Sequence, residues 1–346
     1  MREPFDSSPS LLSARSCEAE RLTRVSTWNR FALRWGVKLN DAILAEDKHK
    51  PLYAELAKTH TVEYIAGGAT QNSIRVAQWM SGVPGTTAYV GCIGTDAFGD
   101  QLEKAAKGDG VNVQYMKQDK VETGTCAVLV KGGERSLCAN LAAANCYDKS
   151  HFDKPEIQAL LAQTKIVYIA GFFLTVSPPT IMAIGEEMAK TNKTMCLNLA
   201  APFIPQFFTE PLNKALYYVD FVFGNESEAA IYGETAGWGN DVEGCALKIA
   251  ALPKASGSRP RVVVFTQGKD PTIVAVGGTI TRFPVALLPK EKLVDTNGAG
   301  DSFVGGFLAI LAKGGDLAAC VNAGNYAARQ IIQVSGCKIP SFPPAP

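Results

Sequence analysis

Short hydrophobic runs alternate with longer amphipathic segments along the chain from Val62 onward. The short runs are rich in β-branched and aromatic residues, which is typical of buried strands, whereas the longer segments carry apolar residues at helical spacing. Strands are predicted at residues 87–92, 126–130, 166–170, 194–198, 221–223, 261–266 and 272–276. Helices are predicted at residues 71–80, 98–106, 155–162, 177–190, 227–232, 243–251, 301–312 and 317–333. This alternation predicts an α/β fold whose mostly parallel sheet is covered by helices on both faces.

Residues 1–35 differ in character from the rest of the chain. They contain six arginines and many serines but no lysine, and they show no clear hydrophobic alternation. Such enrichment occurs in organelle transit peptides, but the acidic residues Glu3, Asp6, Glu18 and Glu20 argue against one. We therefore expect an atypical, poorly ordered extension here.

Composition and charge exclude several classes of protein. A length of 346 residues with 47% hydrophobic content suits one large domain and a smaller one. The net charge is only +1 and no apolar run could span a bilayer, so we expect neither a nucleic-acid partner nor a membrane. The nine cysteines form no Cys-x-x-Cys pair and the three histidines lack metal-ligand spacing, which disfavours structural zinc. Reduced thiols predict a cytoplasmic location, with the nucleus left open.

The most informative stretch is a glycine-containing turn that leads into a helix near the C-terminus. An apolar run passes through Gly298, Ala299 and Gly300, and Asp301 falls in the first turn of the helix. Backbone N–H groups and the helix dipole at such a terminus can hold a phosphate or a developing oxyanion. An aspartate beside that anion hole suits a general base for an attacking hydroxyl. An ordinary helix start with an acidic first-turn residue explains the turn alone equally well.

Two other stretches could bind ligands. Gly67 and Gly68 would let a ligand approach the backbone, and the Asn72 amide can both donate to and accept from sugar hydroxyls. Asn225 and Glu228 share a helix face and could hold Mg²⁺ through its waters. Each stretch also has a purely structural explanation, an N-capped turn for the first and a capping box for the second.

Three familiar active sites are excluded by what the sequence lacks. It contains no Walker-type phosphate loop and no dinucleotide-binding glycine fingerprint. The segment around Asp301 and Ser302 is similar to the nucleophile of a GDS-type esterase. That chemistry needs a histidine base, and no histidine follows His151.

Taken together, these stretches resemble the ribokinase-like (PfkB) family of carbohydrate and nucleoside kinases. Residues 295–301 (DTNGAGD) match its C-terminal signature, residues 67–78 and 91–96 its N-terminal signature, and residues 225–228 its N-x-x-E magnesium motif. Members that phosphorylate adenosine are matched by residues 40–49, 123–126, 135–137, 139–147, 169–178 and 201–203.

The resemblance implies a ribokinase-like three-layer α/β/α domain with a mostly parallel central sheet and a small β-sheet lid. It places the lid in residues 36–66 and 114–141, and the large catalytic domain in residues 67–113 and 142–340. It also implies transfer of the γ-phosphoryl group of ATP to the 5′-hydroxyl of adenosine, with Mg²⁺ as cofactor. We expect a monomer whose only partners are these two small molecules.

Roles for single residues follow from the same resemblance. Asp301 would be the general base, with the anion hole formed by Gly298, Ala299 and Gly300. Arg135 would reach the phosphates from the lid, Asn225 and Glu228 would organise Mg²⁺, and K⁺ is expected beside Asp295. The ribose would be held by Gly67, Gly68 and Asn72. The adenine of adenosine would be enclosed by Leu137, Leu141, Phe172 and Phe203, and the ATP site bordered by Thr266, Gly268 and Asn297.

The chain departs from the family at its N-terminus. Family members open with a strand that ends in a Gly-Asn-Pro-Leu-Leu-Asp type segment, whose aspartate binds the ribose hydroxyls. Before Phe31 this chain offers only residues 11–16 (LLSARS). The sequence therefore predicts the loss of a core strand and of a carboxylate at the ribose. The leading hypotheses are an active nucleoside kinase and a non-catalytic or impaired protein that binds nucleotide or a partner. A sugar kinase is a third hypothesis, which the aromatic pair Phe172 and Phe203 disfavours.

Overall fold

The computed structural model describes residues 11–15, 34–38, 42–131, 134–255, 258–341 and 344. Its strands there are β1 (Leu11–Arg15), β2 (Ala42–Leu44), β3 (Thr61–Tyr64), β4 (Ala88–Gly94), β5 (Asn112–Gln118), β6 (Thr125–Lys131), β7 (Glu134–Asn140), β8 (Ile166–Ala170), β9 (Thr194–Asn198), β10 (Phe221–Asn225), β11 (Val262–Gln267), β12 (Asp270–Val276) and β13 (Thr279–Phe283). Its α-helices there are α1 (Lys50–Thr59), α2 (Ala69–Ser81), α3 (Ala97–Gly108), α4 (Lys149–Phe152), α5 (Pro155–Gln163), α6 (Pro178–Lys190), α7 (Phe203–Phe207), α8 (Thr209–Leu216), α9 (Glu226–Thr235), α10 (Val242–Ala251), α11 (Ala299–Ala312) and α12 (Leu317–Ile331). Short 3-10 helices occupy Asp47–His49, Ala142–Cys146, Gly171–Thr175 and Lys290–Lys292.

Six strands form the central sheet, in the order β13-β12-β11-β10-β9-β8. Strands β8 to β11 are parallel, and β12 and β13 continue the sheet in antiparallel pairing. Side chains alternate across the sheet. Val222 and Phe265 pack into one layer of helices, whereas Phe223 packs against Phe303 and Phe307 of α11 in the other. Both faces are therefore buried, and the three-layer α/β/α prediction is confirmed.

A second sheet of five strands, in the order β2-β7-β6-β1-β3, forms the small lid. Helix α1 packs on it through Leu52 and Leu56, which are fully buried with Leu129 of β6 and Cys138 of β7.

The expectation of an atypical, poorly ordered extension over residues 1–35 stays a prediction, and the structure describes only two short parts of it. Strand β1 (Leu11–Arg15) lies inside the lid sheet, parallel to β6 and antiparallel to β3. Trp35 is buried in the lid core. Residues 11–15 are therefore paired with lid strands, and Trp35 packs in the lid core. Residues 1–10 and 16–33 lie outside the described residues.

Strands β4 and β5 form a separate parallel pair. The predicted lid boundary at residue 114 falls inside β5, which pairs with β4. The division into lid and large domain stays a prediction. The eight described cysteines are free thiols, and no helix in the described part of the chain is long and apolar enough to cross a membrane.

A buried arginine joins the central sheet to the ends of two helices. Arg261, 2% exposed, lies immediately before β11. All five of its N–H groups donate hydrogen bonds of 2.5–3.1 Å to the carbonyls of Leu216, Val219, Ile249, Leu252 and Pro253. Burial lowers the pKa of the guanidinium, yet these acceptors compensate its charge. Arg261 thus binds carbonyls in the last turns of α8 and α10 and in the residues that follow these helices; the Leu216 and Ile249 carbonyls each accept a backbone N–H as well.

Arg261→Met should destabilise the protein strongly, because it removes five hydrogen bonds, of which those to Val219, Ile249 and Leu216 are buried. We expect the free energy of unfolding to fall by about 3 kcal/mol, measured by urea denaturation. Arg282→Met is the matched control, since it removes only an exposed ion pair with Glu243. That control should cost less than about 1 kcal/mol. Similar losses in the two variants would contradict the role given to Arg261.

Candidate active site

The turn before α11 is held by a buried aspartate. The Asp295 carboxylate, 4% exposed, accepts the N–H groups of Asn297 at 2.7 Å and Gly336 at 2.9 Å. Gly298 has a φ of +78°, a conformation that a side chain would disfavour. The Ser302 hydroxyl donates back to the Gly298 carbonyl at 2.7 Å. These bonds define the turn without any ligand.

The start of α11 leaves some backbone N–H groups open and uses others. The N–H of Ala299 donates to the Thr296 carbonyl at 3.2 Å, so it is engaged within the turn. The N–H groups of Gly300 and Asp301 occupy helix positions that have no intrahelical acceptor. Gly298, Gly300 and Asp301 line a cavity, and Ala299 does not. The anion hole predicted at 298–300 stays a prediction, with Ala299 its least available donor.

Asp301 meets Asn72 across this cavity. The Asn72 side-chain amide donates to Asp301 Oδ2 at 2.9 Å. Burial raises the pKa of the Asp301 carboxyl to about 6, and the hydrogen bond from Asn72 opposes that shift. Asn72 Oδ1 is buried and has no hydrogen-bond partner within the described ranges. The pair therefore offers a carboxylate with a raised pKa next to an unused acceptor.

Close packing of α2 against α11 brings Asn72 and Asp301 together. A Cβ atom on Gly305 of α11 would lie 2.5 Å from the Ser73 carbonyl oxygen and 2.7 Å from Val76 Cβ, both on α2. No side chain fits at such distances, so glycine sets the separation of the two helices. The 2.9 Å contact of Asn72 with Asp301 depends on that separation.

A second carboxylate lies in the same cavity at the carboxyl end of β10. The Glu228 side chain accepts the Asn225 backbone N–H at 3.0 Å and its side-chain amide at 2.9 Å. Asn225 Oδ1 in turn accepts the Glu228 N–H at 2.9 Å, which completes a capping box. Burial raises the pKa of Glu228 to about 7, the hydrogen bond from Asn225 opposes the shift, and the carboxylates of Glu226 and Asp301 add to it.

Most of the predicted site residues line one cavity of about 690 Å³. They come from the start of α2, the lid, the carboxyl ends of central strands and the start of α11. The residues concerned are Gly67, Gly68, Asn72, Leu137, Leu141, Phe172, Asn225, Glu228, Thr266, Asn297, Gly298, Gly300 and Asp301.

Other predicted residues lie next to the cavity or apart from it. Phe203 packs behind Phe172, with ring centroids 5.9 Å apart, so its direct contact with a nucleoside stays a prediction. Gly268 lies in the turn between β11 and β12 and does not line the cavity. Asp295 does not line the cavity and instead accepts the backbone N–H groups that hold the turn before α11. Arg135 lies in β7, and its side chain is outside the described part of the structure.

Sequence reasoning missed several polar cavity residues, among them Asn198 and Tyr115. Asn198 ends β9, and its Oδ1 accepts the Ala200 N–H at 3.0 Å. Ala200 has a φ of +70°, an unusual value for a residue with a side chain. The position of Asn198 at the carboxyl end of a predicted parallel strand was the available signal. Tyr115 of β5 donates to the Gln71 side chain and also lines the cavity.

The donor set fits a hydrated cation and not a fully protein-ligated metal. No group of three or more His, Cys, Asp or Glu side chains in the described part of the chain is placed to hold a metal ion. Asp301 and Glu228 nevertheless face one cavity with raised pKa values, which is unfavourable without positive charge nearby. Mg²⁺ keeps several waters and needs few protein ligands, so it suits this arrangement.

Known proteins similar to this chain are kinases in sequence and in structure. The pfkB family carbohydrate kinase model matches residues 30–344. Adenosine kinase 2 of Arabidopsis thaliana is 54% identical over 316 residues, which are 91% of this chain and 92% of that protein. Adenosine kinase of Dictyostelium discoideum is 43% identical over 95% of this chain and 97% of its own length.

Solved structures give the same result. Anopheles gambiae adenosine kinase in complex with P1,P4-di(adenosine-5) tetraphosphate matches with a TM-score of 0.89 and 44% identity, over 96% of this chain and 97% of that one. Schistosoma mansoni adenosine kinase in complex with 2-fluoroadenosine matches with a TM-score of 0.90 and 32% identity, over 96% of each chain.

Gly305→Ala should damage both stability and the site. The added methyl group would push α2 away from α11, which costs about 1–3 kcal/mol and lengthens the contact of Asn72 with Asp301. Urea denaturation and a crystal structure of the variant would measure the two effects. Gly108→Ala is the control, because nothing lies within 4 Å of a Cβ there. An unchanged separation of α2 and α11 in Gly305→Ala would contradict the argument.

Asp301→Asn should stabilise the folded protein above neutral pH. The pKa of Asp301 rises from 3.8 to about 6 on folding, so its contribution to stability is present below about pH 3.8 and is lost as the pH rises through 6. Asparagine stays neutral. We expect the free energy of unfolding to rise by roughly 1–3 kcal/mol at pH 8, and this gain should shrink towards pH 4. Thermal unfolding of both proteins across this pH range measures the difference. Asp316→Asn, at the exposed N-cap of α12, is the control for an Asp-to-Asn change away from the cavity. An equal gain in stability there would contradict the raised pKa of Asp301 as the cause.

Proposed function

The chain belongs to the pfkB family of carbohydrate kinases, and on that premise we propose that it transfers the γ-phosphoryl group of ATP to the 5′-hydroxyl of adenosine. The products are AMP and ADP. Relatives that are 54% identical over 91% of the chain are adenosine kinases, and they give no support to a non-catalytic alternative. The observation that carries the proposal is Asp301, held by Asn72 in the first turn of α11 beside open backbone N–H groups.

Asp301 acts as the general base in this proposal. A carboxyl whose pKa is about 6 is mostly ionised at pH 7, yet it is more basic than an ordinary aspartate. It accepts the proton of the 5′-hydroxyl while the hydroxyl oxygen forms a bond to the γ-phosphorus and the bond to the β-phosphate oxygen breaks. The Asn72 amide fixes Asp301 Oδ2, which leaves Oδ1 for the hydroxyl.

The start of α11 stabilises the negative charge on the transferred group. The N–H groups of Gly300 and Asp301 have no helical acceptor, and the helix dipole adds positive potential there. Gly298 lines the same wall. These donors are fixed by the Asp295 turn, so they need little reorganisation during the reaction.

The apolar part of the cavity suits a purine. Leu137 and Leu141 reach it from the lid side, and Phe172 offers an aromatic face supported by Phe203. An aromatic face and two leucines can enclose a planar base through apolar contacts, with few hydrogen bonds to it. Asn72 Oδ1, buried without a partner in the described residues, would accept a hydrogen bond from a ribose hydroxyl. The Gly67 and Gly68 backbone lies beside it.

ATP and Mg²⁺ complete the proposal. Asn225 and Glu228 would hold Mg²⁺ through its waters, and the ion supplies charge neutralisation of the phosphates when bound. Thr266 and Asn297 border the ATP side of the cavity. K⁺ beside Asp295, a monomeric state and a cytoplasmic location are further parts of the proposal that rest on the sequence.

Asp301→Asn should abolish phosphorylation. Without a base the turnover number should fall by roughly 10²–10⁴-fold, measured as AMP formed from ATP, Mg²⁺ and adenosine. Binding of adenosine should survive, because asparagine keeps the shape and the hydrogen bond to Asn72. The unaltered enzyme should also lose activity below about pH 6, where Asp301 becomes protonated.

Asp316→Asn provides the matched control, since Asp316 caps α12 outside the cavity. It should retain full activity. An Asp301→Asn variant that forms AMP at the normal rate would overturn the assignment of the base. Absence of AMP with the unaltered chain would overturn the proposed function itself. Parallel assays with inosine and ribose would show whether adenosine is the preferred acceptor.

A further inference from the structure

A charged side chain joins the start of α3 to the segment that leads into lid strand β6. The Asp96 carboxylate, at the N-cap of α3, accepts the Gly99 N–H at 2.8 Å, the Thr123 N–H at 2.7 Å and the Thr123 hydroxyl at 2.8 Å. Thr123 Oγ1 in turn accepts the Gly94 N–H at 3.0 Å. Burial raises the pKa of Asp96, but the hydrogen bonds from Thr123 and Gly99 outweigh it and hold the pKa below its ordinary value. These four residues form the Asp96 cluster, and its carboxylate is charged at neutral pH.

Two glycines of the Asp96 cluster allow its backbone segments to lie in close contact. A Cβ atom on Gly94 would lie 2.6 Å from the Val121 carbonyl oxygen and 2.8 Å from the Thr123 nitrogen. A Cβ atom on Gly99 would lie 3.0 Å from Thr123 Oγ1. Because no side chain fits at Gly94, the end of β4 lies directly against residues 121–123. Those residues cannot shift relative to α3 without breaking hydrogen bonds to a charged group, which are stronger than neutral ones.

The start of α3 contacts the lid sheet at a second place. Phe98, in the first turn of α3, stacks on Tyr64 of β3, with ring centroids 6.1 Å apart and an angle of 26° between the rings. Strand β3 lies at one edge of the lid sheet, and β1 lies between it and β6. Contacts at two separate strands restrict rotation of this sheet as well as its displacement. The start of α3 is therefore a fixed support for the lid.

The residues next to Thr123 extend this support to the predicted base-binding leucines. A Cβ atom on Gly124 would lie 2.6 Å from the Leu141 carbonyl oxygen, so the two backbones touch. The Glu122 carbonyl accepts the Ala143 N–H at 2.9 Å, which holds the chain on the other side of Leu141. Leu137 lies in β7, the strand that ends just before Leu141 and pairs with β6. Both leucines line the cavity. Their position thus follows from that of residues 122–124.

We propose that Asp96 and Thr123 are positioning residues for the nucleoside, because they fix the end of the lid sheet that carries Leu137 and Leu141. This inference rests on the proposed function, in which the base lies against these two leucines. No hydrogen bond in the described part of the chain joins the Asp96 cluster to α11, where Asp301 lies. Loss of the cluster should therefore weaken binding of the nucleoside and leave phosphoryl transfer almost unchanged.

Thr123→Val tests the proposal, since valine keeps the shape of threonine and lacks the hydroxyl that connects Asp96 with Gly94. The Kd for adenosine, measured by calorimetry without ATP, should rise about tenfold, because the base-binding wall has lost a hydrogen bond to a charged group. The KM for adenosine should rise by a similar factor, whereas kcat and the KM for ATP should change by less than about twofold. Thr123→Ser keeps the hydroxyl and should restore the Kd.

Thr95→Val is the matched control, because it makes the same substitution next to Asp96 but outside the cluster. The Thr95 hydroxyl donates to the Gln118 carbonyl at 3.3 Å and to Asp119 at 3.2 Å, and both contacts are exposed. The Kd for adenosine should not change in this variant. An increase equal to that of Thr123→Val would contradict the proposal.

Gly124→Ala is a second variant that leaves every hydrogen bond of Asp96 in place. The added methyl group would push on the Leu141 carbonyl, so the Kd for adenosine should rise here as well. Gly108→Ala, where a Cβ has no neighbour within 4 Å, should leave the Kd unchanged. Should Thr123→Val fail to fold, Gly124→Ala decides, and an unchanged Kd there would overturn the proposal.

Two further outcomes would overturn the proposal. A lower melting temperature of Thr123→Val with an unchanged Kd for adenosine would show that the hydroxyl serves stability alone. A lower kcat with an unchanged Kd would place its effect on the chemical step. The calorimetry needs no turnover, so a chain that binds adenosine but forms no AMP would overturn the proposed function, while the Kd values of the variants would still decide this inference.

Discussion

The contact between α2 and α11 is the constraint on which the site depends. Each helix begins at the cavity, one after Gly68 and the other after Gly298, and each supplies one half of the pair of Asn72 and Asp301. The backbones approach so closely at Gly305 that no side chain fits between them. Because interiors are densely packed, a change of one methyl group at this point must move a helix. The position of the carboxylate is therefore decided within the core, several residues from the chemistry.

The cavity buries two carboxyl groups whose ionisation is unfavourable in the folded state. Asp301 and Glu228 lie in one cavity, and burial raises both pKa values, to about 6 and about 7. Neither carboxylate has a cationic side chain as a described hydrogen-bond partner. A protein selected only for stability would replace them with neutral residues, so their presence favours a functional explanation. A ligand that brings a cation or a hydroxyl proton to these carboxylates lowers the cost of burying their negative charge. Part of the binding free energy therefore comes from relieving that cost.

The two explanations offered for Asn225 and Glu228 prove compatible. The capping box uses one lone pair on each Glu228 oxygen, and a carboxylate has about four acceptor positions in all. The remaining positions are free for the waters of a hydrated ion.

The apolar strands at 166–170, 194–198 and 221–223 were predictable because they are buried on both faces. Strand β5 (Asn112–Gln118) was missed because its polar residues weaken the strand signal. The meeting of lid residues such as Leu137 with Phe172 could come only from resemblance, since no local pattern encodes a contact between distant segments.

Strand β8 connects the central sheet to Phe172, which lines the cavity. Strand β8 leads at once into the Gly171–Thr175 segment, which carries Phe172. A Cβ on Gly171 would lie 2.6 Å from the Leu199 carbonyl oxygen, so this segment is fixed against the end of β9 on one side. On the other side β8 has no strand partner in the described structure. Strands with unpaired edges open more easily than central ones. Phe172 is positioned both by the end of β8 and by the contact of Gly171 with the end of β9.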